Sequence, residues 1–140
     1  LDTDRVGGLV GSCDYGTITN CYARGSANGE GSLGGLIGYL NEGSVSYCYS
    51  TGAVVGDGNY CGGLVGYIES GSSPSNCYYD TDTSGRNDTT GTPTTTANMK
   101  LQGTYVGWDF VSDSNGSNDY WSIGTLNDGY PYLTNNAPAE

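Results

Sequence analysis

A glycine-rich hexapeptide occurs three times in the first half of this chain and limits the folds that the chain can adopt. The copies occupy residues 6–11, 33–38 and 61–66, so that they begin 27 and 28 residues apart. Each copy is followed by a Cys-Tyr pair, which begins at Cys21, Cys48 and Cys77. A fixed period of this length predicts stacked repeats, because one unit cannot bury its apolar face alone.

The apolar positions of the three copies align in columns. One column holds Leu9, Leu36 and Leu64, and the next holds Val10, Ile37 and Val65. These apolar runs are too short and too rich in glycine for helices, and they suit parallel strands that are covered on both faces. The sequence therefore predicts an all-β fold, a parallel β-solenoid of about three rungs, with two or three short strands in each unit. An antiparallel sandwich would need turn signals at a shorter spacing.

The charge of the chain excludes several classes of partner. Four Lys or Arg stand against fifteen Asp or Glu, without any His, and the net charge is −11. Nucleic acid and anionic membrane surfaces need clustered cations, so neither is an expected partner. No apolar stretch approaches the roughly 18 residues that span a bilayer. The acidity indicates a solvated surface, with cation binding as the functional alternative.

The regular period ends after Tyr79, which divides the chain into three parts. We expect solenoid repeats over residues 1–79, a β-rich capping region of the same domain over 80–133, and a tail or linker over 134–140. Within the cap, one short helical turn is predicted over 94–101 and strands over 104–110 and 120–123. Its expected core contains Trp108, Phe110, Trp121 and Ile123. A cap is needed because an open strand edge pairs with other chains.

The five cysteines fall into two groups. Cys13 and Cys61 replace aliphatic residues of other repeats, so we expect them to fill the core as small apolar side chains. Cys21, Cys48 and Cys77 occupy one column and predict a ladder of stacked thiols. One disulfide between neighbours is the alternative, because strands one rung apart bring Cα atoms within the disulfide range. Zinc is not expected, because the three cysteines lie on one line without a His.

A polar segment after the last Cys-Tyr pair has the spacing of a calcium loop. The candidate ligands are Asp80, Asp82, Ser84 and Asp88, with Gly85 as the turn residue. The Glu that closes an EF-hand loop is absent, and Gly91 stands in its place. Because Asp and Thr also favour turns, the alternative is an ordinary loop. Calcium is therefore the one cofactor that the sequence suggests, and otherwise none is expected.

Two sites match the acceptor pattern for N-glycosylation. They begin at Asn87 and Asn115, in segments predicted to be surface loops. Chance matches are common in a chain so rich in Asn, Ser and Thr. The pattern is meaningful only where the source glycosylates exported proteins.

The hexapeptide followed by Asn-Cys-Tyr-Ala resembles the GLUG-motif repeats of bacterial and archaeal surface proteins. Segments after the last repeat also match that family, at residues 76–85, 95–100, 106–110 and 129–133. The resemblance implies an exported, extracellular or cell-surface protein built on a β-solenoid. Such repeats also occur beside peptidase modules in large immunoglobulin-cleaving surface enzymes. No catalytic residue carries over, because the motif contains none. The chain opens inside its first repeat, so we expect a processed mature protein or a piece of a longer one.

The expected function is structural and non-enzymatic. A stalk or filament subunit would assemble head-to-tail through an open N-terminal rung, whose face contains Val6, Leu9 and Val10. The partner would be another copy or the preceding repeats of a longer chain. The alternative is a glycan-binding adhesin that uses Tyr with Asn and Asp, and its candidate rings are Tyr22, Tyr49, Tyr78 and Tyr79. An accessory region of a larger surface enzyme is weaker, because fold analogy is a poor warrant for chemistry.

Overall fold

The computed structural model describes residues 4–69 and 71–139 of the chain. The predicted boundaries at residues 1 and 140 therefore lie outside the described residues. The chain divides into two compact units, Leu1–Thr95 and Thr96–Glu140. Each unit is described by itself below.

The first unit consists of short strands that recur with the period of the sequence. The first set is β1 (Arg5–Gly7), β2 (Val10–Asp14), β3 (Thr17–Thr19), β4 (Tyr22–Ala23) and β5 (Ala27–Asn28). The second set is β6 (Ser32–Gly34), β7 (Ile37–Asn41), β8 (Ser44–Ser46), β9 (Tyr49–Ser50) and β10 (Val54–Val55). The third set is β11 (Tyr60–Gly62), β12 (Val65–Ile68) and β13 (Tyr78–Asp80). We call these sets rung 1 (residues 5–28), rung 2 (32–55) and rung 3 (60–80).

The prediction of two or three strands per unit is wrong for rungs 1 and 2, which contain five each. Extra corners arise where non-glycine residues adopt a left-handed conformation. One such corner column is Asn20, Tyr47 and Asn76, with φ between 50° and 53°. Asn tolerates this conformation, whereas Tyr rarely adopts it. The corner at Tyr47 is therefore set by its neighbours above and below and not by its own propensity.

Strands of successive rungs pair in parallel, one repeat apart. The register joins Val6 to Leu33 and Leu33 to Cys61, and it joins Tyr22 to Tyr49 and Tyr49 to Tyr78. Columns aligned from the sequence are therefore columns in space. This confirms the all-β class and the parallel pairing, and it is consistent with the predicted solenoid.

The side chains that point inward from the rungs form one apolar core. Leu36, Ile37, Leu40 and Leu64 are fully buried in it, with Val45 at 1% exposure. Facing strands of each rung contribute alternate side chains, which pack in layers along the stack. The side chains of a layer are therefore fully buried only where that layer is covered on both sides.

Residues 81–95 remain part of the first unit. They contain a short helix, α1 (Thr81–Ser84), and a strand, β14 (Thr92–Thr94), which pairs in parallel with β13. The predicted boundary after Tyr79 differs from this division, which falls after Thr95. The difference arises because β14 continues the sheet of the Cys-Tyr strands although its sequence lacks the repeat motif.

The second unit holds a small aromatic core. It contains the helix α2 (Thr96–Met99) and an antiparallel pair, β15 (Trp121–Ser122) and β16 (Tyr132–Leu133). Three 3₁₀-helices, Gln102–Thr104, Leu126–Gly129 and Thr134–Asn136, connect or follow these elements. The helix α2 lies within the predicted helical turn, and the last 3₁₀-helix lies in the segment predicted as a tail.

Three of the four predicted core residues of this region are buried. Trp108 and Trp121 are fully buried with ring centroids 4.5 Å apart, and Phe110 is 1% exposed. Ile123 is only half-buried, because β15 ends at Ser122. The strand predicted over 104–110 is wrong: turns occupy it, with one isolated bridge between Phe110 and Trp121. The aromatic rings in this segment pack from turns, for which strand geometry is unnecessary.

Candidate functional site

The first glycine of each hexapeptide lies at a corner that excludes a side chain. A Cβ atom on Gly34 would lie 1.9 Å from the carbonyl oxygen of Ile37, and one on Gly62 would lie 1.9 Å from that of Val65. At Gly7 the corresponding distance, to Val10, is 2.1 Å. Because these obstacles are backbone atoms, no rotamer change can relieve the clash. Each copy therefore makes the same tight turn into its second strand.

The second glycine of each hexapeptide allows neighbouring rungs to approach closely. A Cβ on Gly8 would lie 2.3 Å from the oxygen of Gly35, and one on Gly35 would lie 2.2 Å from that of Gly63. On Gly63 it would meet the ring of Tyr79. The motif is therefore needed for stacking as well as for turning. Its contribution is to geometry, and it supplies no group that could perform chemistry.

Rung 1 forms one edge of the stack within the described residues. Each of its strands, β1 to β5, pairs with a strand of rung 2 and with no other described strand. Leu9 is 46% exposed, whereas its counterparts Leu36 and Leu64 are fully buried. Val6 and Val10 are likewise half-buried, while Leu33 and Ile37 are fully buried. The three residues predicted for an assembly face therefore lie on this edge.

The opposite edge, on rung 3, is covered by side chains from residues 80–95. The Asp88 carboxylate accepts hydrogen bonds from the Gly63 amide at 2.8 Å and the Thr90 amide at 2.9 Å. The Thr90 hydroxyl oxygen accepts from the amides of Leu64 and Val65, both at 3.3 Å. These bonds replace those that a further strand would make. They cover the side of rung 3 formed by β11 and β12.

A second group of contacts covers rung 2 near β10, which pairs with no strand of rung 3 among the described residues. The Thr83 hydroxyl donates to the Thr51 carbonyl at 2.6 Å. The Arg86 guanidinium donates to the carbonyls of Val54 at 3.1 Å and Gly56 at 2.9 Å. Strand β14 pairs with β13 as described above. We call residues 80–95 the capping segment, because they satisfy backbone groups that the stack would otherwise leave unpaired.

The predicted calcium ligands lie within this capping segment. Asp80 is fully buried, and its carboxylate accepts from the amides of Asp82 and Thr83, which makes it the N-cap of α1. The Ser84 hydroxyl accepts from the Arg86 amide at 3.2 Å. Asp82 is exposed, and Asp88 faces rung 3. The structure thus directs two of the three carboxylates toward backbone amides.

Residues 4–69 and 71–139 contain no group of three or more Cys, Asp or Glu side chains placed to hold a metal ion. Calcium binding at this loop stays a prediction. The spacing of Asp80, Asp82 and Ser84 serves a helix cap as well as it serves a cation, because both use carboxylate oxygens before a turn. Sequence spacing could not separate these two uses.

The thiols of Cys21, Cys48 and Cys77 form a ladder, and all five cysteines are free. The Tyr49 amide donates to the Cys21 carbonyl at 3.2 Å, and the Tyr78 amide donates to that of Cys48 at 3.0 Å. Cys48 is fully buried and Cys77 is 2% exposed, whereas Cys21 is half-buried. The ladder is therefore accessible at its rung 1 end.

The thiols of the ladder influence one another's acidity. Hydrogen bonding with Cys48 lowers the pKa of Cys21 to about 7, although burial acts in the opposite direction. Hydrogen bonds with Cys21 and Cys77, together with burial, raise the pKa of Cys48. A hydrogen bond with Cys48 also lowers the pKa of Cys77, but that thiol is enclosed. Cys21 is therefore the ladder member that combines a lowered pKa with access, the two properties that make a thiol reactive.

The other two cysteines lie in aliphatic columns, as predicted. Cys13 is 7% exposed and belongs to the core cluster, where it pairs in register with Leu40. Cys61 is half-buried and pairs with Leu33. Neither has a cysteine as its register partner.

Two of the four tyrosines predicted for glycan binding stack on each other. Tyr22 and Tyr49 have ring centroids 5.1 Å apart and an interplanar angle of 6°. Tyr49 and Tyr79 are fully buried, so the prediction of a regular exposed face of four rings is wrong for these two. Burial follows from their position, because each lies between neighbours along the stack.

A second tyrosine stack was missed by the sequence analysis. Tyr39 and Tyr67 have centroids 5.7 Å apart, and the Arg5 guanidinium lies 3.7 Å from the centroid of Tyr39. Tyr60 meets Tyr67 edge-on at 4.7 Å. The available signal was the shared column, since Tyr39 and Tyr67 pair in register. Tyr39 therefore has Arg5 and Tyr67 as close neighbours of its ring.

Both glycosylation patterns lie on the surface of the described residues. Asn87 is exposed between α1 and β14, and Asn115 is exposed in a turn. Exposure is necessary for modification, and use of the sites stays a prediction. Among the helices of the described residues, none has the length and apolarity that crossing a membrane would require.

Comparison with known proteins supports the repeat assignment. The family model described as the GLUG motif matches residues 3–28 and 29–55, which cover rungs 1 and 2. A protein of Evansella cellulosilytica, named as a Gly-rich membrane protein, is 36% identical over 133 residues. The match covers 91% of this chain and 11% of that relative, so the chain spans about a tenth of the relative's length. No solved structure matches this chain. The hexapeptide geometry and these matches agree, and residues 3–55 of the chain are repeats of the GLUG-motif family.

Proposed function

We propose that the chain is a non-enzymatic structural module of an extracellular or cell-surface protein, built as a parallel β-solenoid whose first rung stacks on a further repeat unit. One observation carries this proposal: Leu9 is 46% exposed in rung 1, while the equivalent leucines of rungs 2 and 3 are fully buried. The surface location rests on the GLUG family and on the name of the long relative. The module would act as a spacer or stalk.

The partner that fits this edge is another GLUG repeat. Rung 2 already stacks on rung 3 through in-register parallel strands and paired Gly-Gly corners. A preceding rung with the same columns would repeat that geometry on rung 1 and complete its backbone hydrogen bonds. The relative is about nine times as long as the matched segment, so a longer protein could supply such a rung.

A head-to-tail filament of identical copies fits less well. It would bring rung 1 of one copy toward the rung 3 end of the next, where Asp88, Thr90 and Arg86 already bond to the backbone. Stacking there would require these side chains to leave their partners. We therefore propose that a preceding repeat, and not a second copy of the chain, stacks on rung 1.

Glycan binding has less support from the tyrosine geometry. Sugars stack on open ring faces. The faces of Tyr22 and Tyr49 lie against each other, and Tyr39 has neighbours in Arg5 and Tyr67. These ladders stabilise the stack in the manner of cross-strand pairs.

The stacking proposal is tested by adding a rung. A copy of residues 29–55 is joined in front of Asp2, and the free energy of unfolding is measured with urea. We expect the extended chain to be more stable by at least about 1 kcal/mol, because Leu9 becomes buried. A scrambled version of the added segment is the control.

The added rung should also change how much the Leu9→Ala substitution lowers the free energy of unfolding. Leu9→Ala should destabilise the extended chain more than the original chain, since only there is Leu9 enclosed. An equal cost in both chains would contradict stacking on rung 1. Light scattering and electron microscopy of the original chain test whether identical copies assemble into a filament. Polymers of the chain would show that a second copy supplies the neighbouring rung.

A further inference from the structure

We infer that Cys21 and Cys48 form a redox-active thiol pair, in which Cys21 reacts with a hydroperoxide and Cys48 then closes a disulfide between rungs 1 and 2. This inference does not rest on the proposed stacking function, and it applies to the chain whose rung 1 edge is uncovered, where Cys21 is half-buried. It assigns Cys21 as a site of oxidative modification and Cys48 as the thiol that resolves it. Cys77 is left as a free thiol.

The backbone positions the two residues for a bridge. Cys21 and Cys48 directly precede Tyr22 and Tyr49, which pair in parallel register. Strands paired in this way are about 4.8 Å apart, which lies within the Cα separation of about 4.4–6.8 Å that disulfides span. The bond from the Tyr49 amide to the Cys21 carbonyl, at 3.2 Å, joins the two strands at this level.

The two ends of the thiol ladder differ in solvent access, and this difference determines which two cysteines form the disulfide. Cys77 is 2% exposed, and the Thr92 amide of the capping segment donates to its carbonyl at 2.9 Å. Cys21 is half-buried at the rung 1 edge. A small oxidant can therefore reach Cys21, whereas Cys48 and Cys77 are enclosed. Attack begins at Cys21, and its nearest register partner is Cys48.

The chemistry balances with a hydroperoxide as the only co-reactant. The Cys21 sulfur attacks the outer peroxide oxygen, the O–O bond breaks, and the departing oxygen takes the thiol proton to give an alcohol or water. Cys21 is then a sulfenic acid. The Cys48 sulfur attacks it, an S–S bond forms and an S–O bond breaks. The departing hydroxide leaves as water with the Cys48 proton.

The acidities described above support this order. Because the pKa of Cys21 is lowered to about 7, a large fraction of it is thiolate at neutral pH. Cys13 and Cys61 pair with aliphatic residues, so neither has a register partner that could resolve a sulfenic acid. Cys61 is half-buried like Cys21, which makes it a matched internal control.

The test treats the reduced 140-residue chain with hydrogen peroxide in dilute solution, followed by intact-mass analysis and peptide mapping. We expect loss of two hydrogen atoms per chain and a cross-linked peptide that contains Cys21 and Cys48. Cys21→Ser should abolish this loss, and Cys61→Ser should leave it unchanged. Circular dichroism checks that both variants keep the fold of the parent.

Two results would overturn the inference. One is a bridge that includes Cys77, Cys13 or Cys61 in the parent chain. The other is accumulation of Cys21 in sulfenic, sulfinic or sulfonic form without a bridge, which would show that Cys48 does not reach it. A Cys48→Ser variant that captures the Cys21 sulfenic acid with a dimedone probe would add support, and capture at another cysteine instead would count against the proposed order.

Discussion

The first and last rungs contain the same motif, yet they end the stack in different ways. Leu64 of rung 3 is fully buried although no further repeat follows it within the described residues, because Thr90 and Gly91 lie over it. Leu9 of rung 1 is 46% exposed. Identical positions in a repeat therefore have different burial according to what lies beyond them. The capping segment gives rung 3 a cover that rung 1 lacks within the described residues.

The ladder of cysteines shows the same difference between the ends. Cys77 is enclosed by the capping segment, and Cys21 is half-buried. A rung stacked on rung 1 would also cover Cys21. Oxidation of Cys21 and stacking on rung 1 should therefore compete, which connects the two proposals by a measurable quantity.

The largest expected difference between the two ends concerns their leucines. Leu64→Ala should lower the free energy of unfolding by about 2–5 kcal/mol, because it leaves a cavity in the core. Leu9→Ala should cost less than about 1.5 kcal/mol, since its side chain is already partly in water. Urea denaturation of the two variants measures the difference. Similar costs would mean that Leu9 is covered in solution.

The second prediction removes part of the cap. Thr90→Val keeps the shape of the side chain and removes the oxygen that accepts from the amides of Leu64 and Val65. It should cost about 1–3 kcal/mol, because these amides lose their acceptor. Thr89→Val, at an exposed neighbouring position, is the control. Hydrogen exchange at Leu64 and Val65 should accelerate in the first variant, and unchanged exchange would argue against capping by Thr90.

The third prediction compares the two ends of the thiol ladder. At pH 7, Cys21 should be alkylated roughly tenfold faster than a thiol of ordinary pKa, because a larger fraction of Cys21 is thiolate. Its rate should rise with pH and level off above about 7, where the thiolate predominates. Mass spectrometry of iodoacetamide-treated chain follows each site. Faster labelling of Cys77 than of Cys21 would contradict the prediction that Cys21 is the more accessible thiol. In the extended chain of the stacking experiment, labelling of Cys21 should slow.

The smallest expected effect belongs to the surface of rung 1. Hydrogen bonds from Ser12 and Asn41 lower the pKa of Asp14, with Arg5 4.0 Å away. Because the folded-state pKa is the lower one, this contribution is present above the unfolded-state pKa and is lost as the pH falls through the folded-state value. Asp14→Asn should shift the urea midpoint less than any change above. A shift as large as that of Thr90→Val would show that this exposed network stabilises rung 1 unexpectedly.

Much of the stack could be predicted because its information is periodic. The columns that contain Ile37 and Tyr49 follow from alignment of the repeats, and parallel pairing puts each column into one line in space. Strand number was underestimated, since the corner at Tyr47 depends on its neighbours. Exposure of Tyr49 was also misjudged, because stacked rings cover each other only once the rungs are assembled.

The period, the glycine corners and the parallel register follow from the order of residues. A Cβ at Gly34 would collide with the Ile37 carbonyl of its own repeat, and one at Gly35 would collide with the Gly63 carbonyl of the next repeat. The roles of the non-repeating residues depend on what lies beside them in space. Asp80 and Asp88 have the spacing of cation ligands, and the fold turns them into caps because backbone amides reach them. Likewise Cys21 and Cys77 belong to one column, and only the covering of rung 3 makes one of them accessible and the other not.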